Sequence, residues 1–282
     1  MSQYENAPSI KSSILGRTTE YPTQYDASLL HPIPRQLNRQ QLRVHSPVAF
    51  HGMDIWYGYE MSWLNDKGKP VVAVAKFTFS AASEFLVESK SFKLYLNSFN
   101  QTRFSRNEDV LTALTHDLSK VSGESVGVEL FHPQDLVALQ TSPLPGENID
   151  EQDITITTYE LSPNLLESAA DPQIHVEEVL NSHLLKSNCL ITSQPDWGSV
   201  VIAYKGPKIN QEALLRYLIS FRQHNEFHEQ CIERIYDDLW HFCQPEQLTV
   251  YACYTRRGGL DISPYRSSLN IQPDKLPRTN RQ

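Results

Sequence analysis

Asp54–Leu64 and Val71–Ser80 are strand-like runs rich in apolar residues, and the polar Asn65-Asp66-Lys67-Gly68 between them is a hairpin signal. Two paired strands are expected there. The pattern then changes. Ser91–Phe99 and Glu108–Val121 read as helices, and in the second Val110, Leu111, Leu114 and Leu118 form one apolar stripe. Gly127–Leu130 and Val137–Gln140 read as further short strands. Pro143–Asp153 is rich in turn formers, Ile154–Leu161 alternates threonine with apolar residues as a strand would, and Ser162–Pro172 reads as a linker.

The same order then returns. Ser187–Thr192 and Ser199–Lys205 are expected to be extended, Gln211–Arg222 and Glu226–Cys243 helical, and Thr249–Thr255 a final strand. An echo at the level of residues accompanies the repeated order. Tyr95-Leu96-Asn97-Ser98-Phe99-Asn100-Gln101 lines up with Tyr217-Leu218-Ile219-Ser220-Phe221-Arg222-Gln223. A phenylalanine follows each, Phe104 and Phe227, and then a helix carrying Asp-Leu, at Asp117-Leu118 and Asp238-Leu239. An internal duplication explains this better than chance does. The division expected is an arm (1–50), a first module (51–161) and a second module (162–282). The arm is polar and dotted with proline. Pro32 and Pro34 forbid a continuous helix, and Tyr21, Tyr25, Leu29, Leu30 and Leu37 are candidate anchors against the folded body.

Composition changes the picture only by exclusion. Apolar residues are 40% and charged residues 21% of 282, which suits a globular chain with a real core. A net charge of −8 argues against a general nucleic-acid binder, which would present a basic face. The four cysteines, Cys189, Cys231, Cys243 and Cys253, include no CxxC pair and no zinc-like spacing with histidine, so no metal is expected. The start, MSQYENAPSI, lacks a secretory pattern, and no apolar run is long enough to span a membrane. A cytoplasmic protein with reduced thiols is expected.

The candidate chemistry lies in Asn188–Gly198, NCLITSQPDWG. A turn expected at Ser193-Gln194-Pro195-Asp196 could return the Asp196 carboxyl towards the Cys189 thiol. A thiol is a useful nucleophile as thiolate, and a nearby acid–base partner is what activates it. The plainer alternative is that Cys189 is small core filler beside an apolar run. The two copies also differ in their polar residues. The first carries Glu88-Ser89-Lys90-Ser91 before its echo, where the second has Asn210-Gln211-Glu212-Ala213; the second carries His228-Glu229, where the first has Ser105-Arg106. One site built from both copies would explain the difference, and so would drift of solvated residues.

Glu88-Ser89-Lys90-Ser91-Phe92-Lys93-Leu94-Tyr95, accompanied in order by Cys189 and Asp196, Phe227-His228-Glu229 and Arg256-Arg257-Gly258-Gly259, resembles the signature of one family. From about Tyr25 to about Ser267 the chain is similar to the long, two-module NADPH-dependent 7-cyano-7-deazaguanine reductases, nitrile reductases of queuosine biosynthesis. The resemblance implies an α+β fold of tandem tunnelling-fold (T-fold) modules, antiparallel sheets with paired helices on one face, assembled as a homodimer. It implies four-electron reduction of a nitrile to a primary amine with two NADPH. Cys189 would form a covalent thioimidate and Asp196 would supply a proton to nitrogen. Glu229 and Glu88 would accept from the N–H edge of the guanine-like base, with His228 at the reacting end, Phe227 closing over the ring, and Val87 and Ser89 lining the same side. No GxGxxG motif is present, so charge must hold the cofactor phosphates. Ser89, Lys90, Arg257 and Gly258 are the candidates, with Arg256 in support. Three alternatives stay open: a cysteine hydrolase using the same residues, a purine-binding module without catalysis, and a pterin-type enzyme, which would want zinc ligands not seen here.

Overall fold

The Asn65 side chain closes the first hairpin, accepting from the N–H groups of Lys67 and Lys69 at 3.0 Å each. This is the turn chemistry that the Asn-Asp-Lys-Gly run favours. A computed structural model describes residues 21–43, 50–135, 139–271, 273 and 276–282. The arm contributes β1 (Pro32–Pro34) and α1 (Gln36–Arg39). The first half then runs β2 (His51–Leu64), β3 (Pro70–Ser80), β4 (Phe85–Val87), α2 (Ser89–Ser98), α3 (Asn107–Ser122) and β5 (Gly127–Phe131). After β6 (Glu147–Asn148), the second half runs β7 (Ala170–Ser182), β8 (Lys186–Asn188), β9 (Pro195–Ile209), α4 (Gln211–Ser220), α5 (His228–Cys243), β10 (Gln247–Tyr254) and β11 (Leu260–Ser267).

The main sheet is ordered β5-β3-β2-β11-β10-β9-β7-β6, and β8 pairs with the start of β9. Every pairing is antiparallel except β6 with β7. The protein is thus of the α+β class, as expected. The two halves meet where β2 pairs with β11 along Leu260↔Gly58 to Ser267↔His51. Alternation gives the sheet two apolar faces. Trp56, Phe77 and Phe79 face α2 and α3, while Val200, Ile202 and Val250 face α4 and α5. Met53, Ile55, Tyr57, Val201, Tyr251 and Tyr265 form a separate cluster, in which Leu144 and Leu276 take part.

Residues of the echo make the same contacts in each half. The Tyr95 hydroxyl donates to Asp117 and the Tyr217 hydroxyl to Asp238, both at 2.7 Å. Ser98 and Ser220 each donate to the carbonyl three residues back, at 2.6 Å. The arm packs as its apolar residues suggest. Tyr25 donates to Asp117 at 2.6 Å and sits edge-on to Phe99, and Leu29 and Leu30 join the same cluster. Leu37 packs beside Ile33. Tyr21 is exposed and anchors nothing, and residues 1–20 and 44–49 of the expected arm lie outside the described residues.

Five expectations change. Ile154–Leu161 alternates in burial but joins no ladder: it lies beside the second half with Ile154 and Leu161 packed on its core. Leu139 and Gln140 are not in a strand, and 137–138 of that expected element lie outside the described residues. The expected linker Ser162–Pro172 instead holds a 3-10 turn, Pro163–Leu166, with Leu166 in the core, and then the start of β7. The turn after Cys189 falls earlier than expected. Leu190–Thr192 makes it, the Ser193 N–H donates to the Cys189 carbonyl at 3.0 Å, and Pro195 and Asp196 already belong to β9. The strand expected last, Thr249–Thr255, is followed by another, β11, despite its interior Pro264. Its ladder to β10 covers Tyr265–Ser267 and stops beside that proline, which has no N–H to give.

A buried ionic network ties the halves and the arm together. Glu233 of α5 receives Arg266 of β11 at 2.9 Å and Arg39 at 2.7 Å, and Asp54 of β2 receives Arg35 at 2.7 Å and Arg266 at 2.8 Å. Burial pushes the Glu233 carboxyl up, but Arg266, Arg39 and Arg35 outweigh it and hold it down at about 2. A carboxyl depressed in the fold stabilises the protein above its unfolded value of about 4.3, and that stability is lost as pH falls towards 2. Glu233→Gln is expected to lower stability by about 3–5 kcal/mol, because it strands buried guanidinium groups. It is also expected to flatten the loss of melting temperature between pH 5 and 3 by about as much as one such carboxyl contributes. Thermal melts across that range check both.

Candidate active site

The hairpin register brings the two candidate chemical groups to one place. Ser187 pairs with Asp196 and Asn188 with Pro195, so Cys189 stands one residue beyond the end of a ladder that holds Asp196. The Cys189 N–H donates to the Gln194 carbonyl at 2.8 Å, and Ser193 takes a left-handed backbone (φ 52) to close the loop. Asn188 then ties this loop to the start of α5. Its N–H donates to the His224 carbonyl, its carbonyl accepts from Glu226, and its side chain donates to Asn225 at 3.1 Å. The loop bearing the thiol and the corner bearing Phe227-His228-Glu229 are therefore one stitched unit.

The first half supplies the facing wall. β1 of the arm pairs with β4, Pro32 opposite Val87, and the Glu88 N–H donates to the His31 carbonyl at 2.9 Å. Glu88 caps α2: its carboxylate accepts from the N–H groups of Lys90 and Ser91 at 2.7 and 2.8 Å. Between these walls lies a narrow cavity. Val87, Glu88, Ser89, Cys189, Asp196, Phe227, His228, Glu229 and Arg257 all line it, from both halves of one chain. The remaining candidates, Lys90 and Gly258, line a neighbouring hollow.

Asp196 is the electrostatic centre. Its Oδ1 lies 3.3 Å from His228 Nε2 and 3.2 Å from Arg257 Nη1. Burial raises its pKa, but His228, Arg257 and Lys93 together hold it below the ordinary carboxylate range. Glu229 is the opposite case: burial and the nearby Asp54 charge push its carboxyl up, and its Oε1 has no hydrogen-bond partner. Glu88 is also pushed up by burial, against the pull of its two backbone donors. The other thiols are poor nucleophiles. Burial pushes Cys243 and Cys253 up to about 12, and burial and Glu226 push Cys231 well above the ordinary thiol value.

Several lining residues escape sequence reasoning. Ile33, Trp56, Leu86 and Ile262 supply the apolar wall, and a core strand residue gives no sign of facing a cavity. Glu226 lines it too, held by Arg234 at 2.7 Å and by His224 at 2.9 Å. Lys93 reaches the hollow on the Gly258 side, and burial and Arg257 lower its pKa. Its signal was available, since four residues after Ser89 is one helical turn along the same face. Among the described residues no group of three His, Cys, Asp or Glu side chains is placed to hold a metal.

Comparison with known proteins agrees with this geometry. Residues 21–130 match the family model described as nitrile reductase, 7-cyano-7-deazaguanine-reductase N-term, and residues 195–272 match the model described as QueF-like protein. A protein of Colwellia psychrerythraea named NADPH-dependent 7-cyano-7-deazaguanine reductase is 55% identical over 287 residues, covering 100% of each chain. The chain belongs to the 7-cyano-7-deazaguanine reductase family.

The depressed Asp196 carboxyl gives a direct expectation. In protein carrying ¹³C-labelled carboxyls, Asp196 should titrate below the usual aspartate midpoint. Arg257→Ala should move that midpoint up, because it removes a cation that favours the charged form. An unchanged midpoint would show that the pair does not hold the charge.

Proposed function

We infer that this protein reduces the nitrile of 7-cyano-7-deazaguanine to the aminomethyl group with NADPH, a step of queuosine biosynthesis. The observation that carries the mechanism is one cavity in which a thiol, an ionised carboxylate beside His228 and an unpartnered buried carboxylate oxygen stand together.

The chemistry follows from those groups. The Cys189 sulfur attacks the nitrile carbon. The resting Asp196 carboxylate takes the thiol proton and passes it to the nitrile nitrogen, so the thioimidate forms with no net proton from solvent. His228 and Arg257 keep Asp196 charged until the thiol needs a base. Two hydrides complete the four-electron reduction, and NADPH, when bound, supplies them to the nitrile carbon. After the first, the tetrahedral carbon expels the Cys189 thiolate, which regains a proton, and the resulting imine accepts the second hydride at carbon and a second proton from solvent at nitrogen. Glu229 anchors the base through its free oxygen, accepting from ring N–H and amino groups. Glu88 adds to that edge with the lone pairs its capping bonds leave, Val87 and Ser89 line the same side, and Phe227 closes over the ring.

The residues present fit a phosphorylated dinucleotide. Lys90, Lys93 and Gly258 line the hollow beside the thiol cavity, and their chain neighbours Ser89 and Arg257 line the cavity itself. Arg257 depresses Lys93, so the two cations repel in the absence of an anion between them. Gly258 and Gly259 take left-handed backbones, and a Cβ on Gly258 would press on the Lys93 side chain at 3.3 Å. Ser89, Lys90, Arg257 and Gly258 would hold the phosphates.

The finer architecture is part of the same reading: an arm (1–50) and two T-fold modules (51–161 and 162–282), associated as a homodimer in the cytoplasm. The recurring Tyr–Asp contacts of the two halves support the duplication, and edges at β5 and along the outer part of β7 that no strand pairs among the described residues support addition of strands from a second copy. No described helix is long and apolar enough to cross a membrane.

Two outcomes test the function. NADPH absorbance should fall by two equivalents per nitrile consumed, with the amine as product; release of ammonia without NADPH use would mark a hydrolase instead. Cys189→Ala should reduce turnover by at least a thousandfold, and Asp196→Asn should slow it strongly while still binding the base. A near-normal rate in either variant contradicts the assigned role.

A further inference from the structure

Trp56 lies in the middle of β2, and its side chain lines the thiol cavity. It is almost fully buried, yet its Nε1–H has no hydrogen-bond partner. A buried indole N–H normally finds an acceptor, and leaving it without one is costly. The ring cannot easily turn away. Phe79 and Phe92 pack on it with centroids 5.1 and 5.0 Å distant, the second edge-on. Two residues back on the same face, Asp54 is fixed by Arg35 and Arg266. Trp56 is therefore a rigid donor held ready for something the cavity receives.

The cavity carries a complementary group. Glu229 Oε1 is a buried acceptor, also without a partner. The charged groups beside it already face partners. His228 and Arg257 face Asp196, although Arg257 Nη1 makes no hydrogen bond, Glu226 is held by Arg234 and His224, and the Lys90 and Ser91 N–H groups are taken by Glu88. One fixed donor and one fixed acceptor on an apolar wall suit a ring edge that offers an acceptor next to a donor. A cyclic amide, O=C–N–H, is such an edge. We infer that Trp56 is a specificity-determining residue, whose indole N–H donates to the ring carbonyl of the base while Glu229 accepts from the adjoining N–H groups. This rests on the function proposed above and adds the discrimination of the base itself: a purine-like nitrile without that carbonyl leaves the indole N–H stranded and is rejected.

The test uses full-length protein carrying Cys189→Ala, so that binding is read without the covalent step. The probes are 7-cyano-7-deazaguanine and its ring thiocarbonyl analogue, which keeps every N–H and weakens the one acceptor. Calorimetry should show the carbonyl base preferred by roughly tenfold, the scale of one buried hydrogen bond. Adding Trp56→Phe keeps an aromatic ring against Phe79 and Phe92 and removes the donor, and the preference should shrink towards unity. In ¹⁵N-tryptophan-labelled protein without the Phe substitution, the Trp56 indole resonance should move downfield with the carbonyl base and less with the analogue. This second readout holds even where Trp56→Phe unsettles the fold. An unshifted indole resonance with bound base, or an unchanged preference in a folded Trp56→Phe protein, overturns the assignment of Trp56 alone. Binding of neither base would contradict the proposed function instead.

Discussion

Glu233, a carboxylate with almost no exposure, gathers guanidinium groups from the arm and from β11 behind the cavity. Arg39 reaches it from the arm and Arg266 from β11, while Arg35 stands 3.8 Å away and bonds Asp54 on β2. The spacing of these residues explains why they matter to the site. Three of them lie two or four positions from a residue that lines the cavity, on the same element: Asp54 from Trp56, Glu233 from Glu229, Arg266 from Ile262. In strands and in helices those intervals keep side chains on one face. The network and the wall of the cavity are thus successive rows of the same surface. A buried cluster of this kind adds little net stability over apolar packing, but losing one member strands the rest. It sets where β2, β11, α5 and the arm stand relative to one another, and so the shape of the site.

The site itself is built by opposite treatments of its carboxylates. Asp196 is surrounded by cations and kept charged, which suits a group that must accept a thiol proton. Glu229 is buried with Asp54 near it and a free oxygen, which suits a group that waits for donors from a ligand. Glu88 is half spent on capping α2. The three carboxylates come from β9, α5 and the turn into α2, so the division of labour needs both halves of the chain. The arm is part of the same construction, since β1 pins the strand that carries Val87 into Glu88.

Elements with strong internal rhythm were legible from sequence. Both helix pairs, the β2–β3 hairpin and the central part of β9 emerge within a few residues of their observed bounds, because one apolar face of each is buried. The candidate residues were legible through a motif, and the fold gathers them around one cavity and its neighbour. What escaped has particular causes. The outer half of β7 is exposed, with acidic and polar residues on both faces, so no alternation marks it. β11 is hidden by Pro264, which a central strand tolerates here only because the ladder to β10 ends beside it. Ile154–Leu161 shows the reverse error, with alternation real in burial and no partner strand. Nothing in the sequence singles out Trp56 or Arg266; the register between β2 and β11 reveals them as a cavity wall and the hub behind it.

The account stands most directly on a bond between one sulfur and one carbon. Protein mixed with 7-cyano-7-deazaguanine in the absence of NADPH should gain the whole mass of the nitrile, on the peptide containing Cys189, and lose it again when NADPH is added. An unchanged mass, or an adduct carried by Cys231, Cys243 or Cys253, would contradict it.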